Sequence, residues 1–197
     1  IAPVGALASF VATFEAFLGL LGFAIATGLF YGRFSRPRAY LKFSEIAVVA
    51  PFEEGSAIMF RVASYKNNML SEAEVNITAA IEENIDGKLV SKFYQIEPTL
   101  KKINSFSLNW TLVHKIDSNS PFYGFSEDDF KNTDIELIIM IKAFDEVFAN
   151  TVVQRTSYIT PEIVYGARFL PMYHSSEDNK TTILDLDKID DYQVVKI

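Results

Sequence analysis

From Ala6 to Phe30 the chain is apolar almost without relief, ALASFVATFEAFLGLLGFAIATGLF, with Glu15 as its one charge. At the helical rise, about 25 residues reach about 37 Å, enough to cross a hydrocarbon core of about 30 Å with some tilt. The pattern predicts a transmembrane α-helix ending near Phe34, entered through a short loop at Ile1–Gly5 and prevented from continuing by Pro37. A basic exit follows, with Arg33, Arg36, Arg38 and Lys42 preceding the first acid, Glu45.

From Ala47 the period changes. AVVAPF, AIMFRVAS, AEVNITAAI, KFYQI, FSLNWTLVHKI, IELIIMIKAF, TVVQRTSYI and IVYGARF are rich in β-branched and aromatic residues. Turn signals separate them at Glu54-Gly55, Lys66-Asn67-Asn68, Asp86-Gly87, Ser118–Pro121 and Asp145-Glu146. About eight short strands at this spacing predict an all-β sandwich of immunoglobulin-like architecture. Ser126–Phe130 reads as one helical turn capped by Ser126. The tail from His174 to Ile197 reads as one or two edge strands, partly mobile. The expected division is a helix over 1–34, a basic membrane-interface linker over 35–44, and a sandwich with an acidic tail over 45–197.

Charge and composition narrow the function. The net charge is −7, and no basic face is visible after residue 42, which argues against nucleic acid. Zero Cys removes disulfides, thiolate metal sites and a Cys nucleophile. His114 and His174 have no second ligand at metal spacing, and His114, at the end of an apolar strand, reads as structural. No nucleophile elbow, P-loop or dinucleotide fingerprint occurs. No enzyme and no cofactor are therefore expected. Basic residues beside a span mark its cytoplasmic side, which puts the sandwich in the cytoplasm of a cell bounded by this membrane. Ile1 is not a start Met, and the helix lacks the basic n-region of a signal peptide, so a longer protein is expected to supply this segment.

Within the helix, Gly19, Gly22 and Gly28 thin it and permit close packing or a bend. Phe23, Thr27 and Tyr31 follow one another at spacings of four and share a stripe. A carboxylate inside a span costs about 2.5–3.5 kcal/mol on insertion scales. Glu15 therefore requires a protein or water environment, which a lone anchor would not provide.

The run TGLFYGRFSRPRAYLKFS, then AVVAPF, MFRVA, EAEV, SLNWTLVHKIDSNSPFYG, FDEVFAN, QRTSY and EIVYGARF, resembles the inward-rectifier potassium channels, particularly their prokaryotic branch. The resemblance runs in order from Ile1 to about Phe169. It implies a homotetramer around an aqueous axis that conducts K⁺ passively, with K⁺ as the permeant ion and a selectivity filter lying upstream of Ile1. The helix would then be the inner, pore-lining one. Phe23 would occupy the place where strongly rectifying relatives carry an acid, Thr27 the pore wall, and Tyr31 the bundle crossing. Gly19 and Gly22 would be the hinge.

By the same resemblance, Arg33, Arg36, Arg38 and Lys42 would bind anionic, phosphoinositide-like membrane lipids. Glu146 would face the cytoplasmic vestibule, and Phe148, Ala149, Asn150 and Thr151 would form the apical loop that narrows the pore below the membrane. The rival reading is a single-span, membrane-anchored β-sandwich used for binding or adhesion, which would tolerate Glu15→Leu.

Overall fold

A computed structural model describes residues 3–66 and 69–197, so Ile1 and Ala2 of the entry loop and Asn67 and Asn68 of one turn lie outside the described residues. The chain divides into two units, residues 1–37 and 38–197. The first is helix α1 (Ala6–Phe34), begun at Gly5, with no side chain buried in its own unit. That is the expected state for a helix whose whole circumference is apolar.

The second unit is two sheets facing each other. The first contains β1 (Leu41–Phe43), β2 (Ala47–Phe52), β3 (Gly55–Ser64), β7 (Asn109–Ile116) and β10 (Ile163–Tyr165). The second contains β4 (Leu70–Ile85), β5 (Lys88–Ile96), β6 (Lys102–Phe106), β8 (Ile135–Asp145) and β9 (Asn150–Ile159). In the first, the order is β1-β3-β2-β10 with β7 on the far side of β3; in the second, it is β5-β4-β8-β9 with β6 on β4. Alternation along β4 and β8 sends Val75, Ile77, Ala79 and Ile81, and Leu137, Ile139 and Ile141, into the shared core.

One irregularity keeps that alternation in phase. Between Ser71 and Glu74 the register of β4 against β8 shifts by one residue, and Glu72 takes a left-handed φ of 50°. This bulge lets Leu70 and Ala73 both face inward, although they are three residues apart. The β4–β5 hairpin turns through Asp86 and Gly87, both at positive φ, as a two-residue loop closing a twisted ribbon requires.

Short helix α2 (Glu127–Asn132) carries a full capping box. Asp129 N–H donates to Ser126 Oγ at 3.3 Å, and Asp129 Oδ2 accepts the Ser126 N–H at 2.7 Å. The Ser126 hydroxyl, donating to Oδ2 at 2.6 Å, and after it the Ser126 N–H hold the Asp129 carboxyl below the usual aspartate range.

The structure redraws three expectations. Residues 41–43 are strand β1, paired with β3, so the connection out of α1 is shorter than a tether reaching Ser44. FSLNWTLVHKI breaks into β6 and β7 at Ser107-Leu108, and IVYGARF breaks at Gly166 into β10 and β11 (Ala167–Phe169). The tail is docked and carries three strands rather than one or two. Strands β12 (Tyr173–Ser175) and β13 (Thr182–Leu184) form a hairpin, and β14 (Tyr192–Val194) pairs antiparallel with β11. Gly166, at φ 70°, meets this tail so closely that a Cβ there would lie 3.0 Å from the Val195 carbonyl oxygen.

The tail is held by a small core and by Arg61. Ile189 and Met172 pack with Ala63, all buried. The Arg61 guanidinium donates to the carbonyls of Leu170 and Lys188 and lies 4.4 Å from the centre of the Phe169 ring. Burial lowers its pKa, while the charges of Asp191 and Asp190 oppose that shift. No local pattern in the tail announces the contacts with Ala63 and Arg61, because those residues lie more than a hundred positions earlier.

Candidate functional site

In α1, Phe23, Thr27 and Tyr31 lie along one stripe, with Phe23 and Tyr31 exposed in the single chain. Thr27 Oγ1 donates to the Phe23 carbonyl at 2.8 Å, which removes its hydroxyl proton from the stripe and leaves oxygen lone pairs. Nothing lies within 4 Å of where a Cβ would sit on Gly19 or Gly22, so that side of the helix is open to a close neighbour. Glu15 is exposed, as are most of the residues around it.

At the end of α1, Arg33 sits in the last turn, where a cation complements the helix dipole. Arg33, Arg36 and Arg38 are exposed, and none of them pairs with a carboxylate among the described residues. Lys42 differs. It is half-buried in β1 and its Nζ donates to the Leu186 carbonyl at 3.1 Å, so it fastens the tail to the first strand. Beside it, the Glu45 N–H donates to Asp190 Oδ1 at 2.6 Å.

The apical loop joins β8 to β9. Asp145 and Asn150 close the ladder, and Glu146, Val147, Phe148 and Ala149 stand beyond it, all exposed. The residue that shapes this loop is Asp145, noticed in the sequence only as a turn signal. Its carboxylate is 1% exposed, and Oδ1 accepts the N–H groups of Val147 at 2.9 Å and Phe148 at 3.1 Å. Glu146 N–H donates to the Met69 carbonyl at 3.0 Å, while Ala149 takes a φ of 47°. Asn150 Oδ1 accepts the Thr151 N–H at 2.8 Å. The loop backbone is thus folded by polar anchors at its base, and its tip presents Val147 and Phe148 together with one carboxylate, Glu146.

His114 is buried and doubly satisfied, in agreement with a structural role. Nδ1 donates to the Glu97 carbonyl at 2.9 Å, and Nε2 accepts from Ser120 Oγ at 2.8 Å. It borders a cavity of about 550 Å³ lined also by Lys115, Asp117 and Asn119. Among the described residues no group of three or more His, Asp or Glu side chains could hold a metal ion.

A long, unburied apolar helix with a basic exit, continuous in sequence with a two-sheet β domain, defines a membrane-anchored sandwich protein, and α1 is the one described helix long and apolar enough to cross a bilayer. Residues 41–197 match the family model described as the inward rectifier potassium channel C-terminal domain, and the chain belongs to the inward rectifier potassium channel family.

It is 34% identical over 187 residues to the inward rectifier potassium channel Kirbac3.1 of Paramagnetospirillum magnetotacticum, covering 94% of this chain and 63% of that protein. It is 25% identical over 190 residues to the inward rectifier potassium channel irk-1 of Caenorhabditis elegans, covering 92% of this chain and 35% of the relative. The chain therefore spans less than two thirds of the length of either. The bacterial relative agrees with the prokaryotic branch implied by the motifs. A sporulation control protein of known structure, Spo0M from Bacillus subtilis, aligns at TM-score 0.33 and 10% identity over 66% of this chain and 50% of its own, too loosely to bear on the fold.

Proposed function

We propose that this chain is the pore-lining and cytoplasmic part of a homotetrameric K⁺ channel subunit in the cell membrane, with the β domain in the cytoplasm. The observation that carries the reading is the likeness to a bacterial inward rectifier along 94% of the chain, helix included. In this reading four α1 helices line the conduction path, Glu15 faces protein or water, and Gly19 and Gly22 permit approach or bending. Four Tyr31 side chains narrow the path where the helices converge, closing it by bulk and dewetting. Phe23 carries no charge, so polyamines find no carboxylate there. Glu146 contributes to a ring of carboxylates that concentrates cations ahead of the apical loop.

Anionic lipid acts at Arg33, Arg36 and Arg38, whose unpaired guanidinium forks suit phosphate oxygens. Lys42 already donates to Leu186 and serves the tail. Lipid shifts the open–closed balance only by the difference in its affinity for the two states.

The test is uptake of radioactive rubidium into liposomes holding the protein with whatever precedes Ile1, using Ba²⁺ as blocker and Na⁺ as competitor. Uptake that Ba²⁺ stops and Na⁺ does not compete with is the expected result. No uptake, even with Tyr31→Ala, would favour the anchored binding module.

A further inference from the structure

Strands β1 and β9 are edges of different sheets, and no backbone ladder joins them. A single side chain does so. Leu41 N–H donates to Gln154 Oε1 at 3.0 Å, and Gln154 Nε2 donates back to the Leu41 carbonyl. The amide thus occupies both backbone groups of Leu41, as a paired strand residue would. Four residues further along β9, the buried Tyr158 hydroxyl lies 3.2 Å from Ser44 Oγ. Ser44 Oγ spends its proton on the Ile46 carbonyl at 2.8 Å and accepts the Arg61 N–H at 3.0 Å. Tyr158 is therefore the donor in that pair.

These contacts join two segments with different tasks. Leu41 lies three residues after Arg38, the last of the exposed arginines. Gln154 lies four residues after Asn150, where the apical loop ends, a distance of about 13 Å along a strand. We propose that Gln154 is a positioning residue that transmits displacement of the basic membrane-exit segment to the apical loop. Tyr158, deeper in the sandwich, is the fixed point behind it.

The physical basis is stiffness. A two-point amide contact fixes both distance and orientation, whereas a single bond would allow β1 to pivot. β1 has only three residues in its ladder with β3, so a pull on Arg38 reaches β9 through Gln154 before it disturbs the core. This rests on the preceding reading, in which lipid acts at the arginines and the apical loop borders the conduction path.

The test follows backbone amide exchange residue by residue in the full protein, in phosphatidylcholine vesicles with and without phosphatidylinositol bisphosphate. In the unmodified protein the phosphoinositide is expected to shift exchange at Val147 and Phe148. Gln154→Ala is expected to reduce that shift about fivefold or more, while exchange across the middle of β4 and β8 is unchanged. Gln154→Met keeps the volume without the polar atoms and is expected to behave alike; it decides the matter if the alanine variant fails to fold. Unmodified loop amides that ignore the lipid would overturn the reading that collar and loop communicate, and the coupling with it. A normal response in the unmodified protein that the folded variants reproduce would overturn the role of Gln154 alone.

Discussion

The buried carboxylate of Asp145 accepts the backbone N–H of Phe148 at 3.1 Å, so an exposed loop of the β domain is shaped from inside it. Asp145→Ala leaves two backbone donors without their acceptor, at a cost of about 1–3 kcal/mol. Asp145→Asn keeps an oxygen in place and is expected to lose less. Chemical denaturation compares their stabilities, and exchange at Val147 and Phe148 should quicken most in the alanine variant. Equal exchange in all three proteins would remove Asp145 as the organiser of this loop.

Tyr31→Ala is expected to raise open probability, because the constriction proposed at Tyr31 would lose its bulk. Single-channel recording of the full protein measures this directly. Phe23→Ala, two turns earlier on the same stripe, should change it less. Unchanged opening with Tyr31→Ala would place the constriction elsewhere.

Lys42 and the arginines are expected to separate. Replacing Arg36 and Arg38 together by Gln should shift the phosphoinositide dose–response of flux, since those side chains are exposed and unpaired. Lys42→Met should chiefly free the tail, because its donation to the Leu186 carbonyl is lost. Limited proteolysis should then cut between residues 173 and 197 faster, with the lipid response closer to that of the unmodified protein. A dose–response curve moved as far by Lys42→Met as by the double replacement would return Lys42 to the lipid site.

His114 is expected to make the β domain sensitive to acid. Burial holds its imidazole below the ordinary value of 6.5, with the Glu97 carbonyl and the Asp117 charge acting in the opposite direction. The unfolded chain therefore takes up this proton first as pH falls. The stability that depends on a neutral His114 is complete above about pH 6.5 and is lost as pH drops toward the lower folded value. His114→Gln should flatten the fall in melting temperature as pH drops below about 6.5. Parallel pH profiles for the two proteins would contradict this.

Much of this molecule is local enough to read along the chain. The run from Ala6 to Phe30 specifies a membrane helix by composition alone, since few other environments accept so long an apolar surface. Alternation in 73–81 and the apolar run 137–141 specify the central strands, and Ser126 with Asp129 specifies the cap of α2. The resemblance to the channel family rests on equally local strings such as SRPRAYLKFS and NWTLVHKIDSNSPFYG, and the family match over 41–197 agrees with it.

Which distant groups meet depends on how the two sheets pack. Strand β1 has three residues and β6 is the polar run KINSF, so neither shows its pairing until β3 and β4 are in place. Gln154 gives no sign in the sequence that it will mimic a strand for Leu41, nor Arg61 that it will pin the tail. A hydrogen bond between residues more than a hundred positions apart depends on where two folded surfaces end, and no periodicity in either segment encodes that. The sequence alone determined which segments would be apolar, alternating or capped; the packing of two sheets determined which polar groups would hold the membrane exit, the tail and the apical loop together.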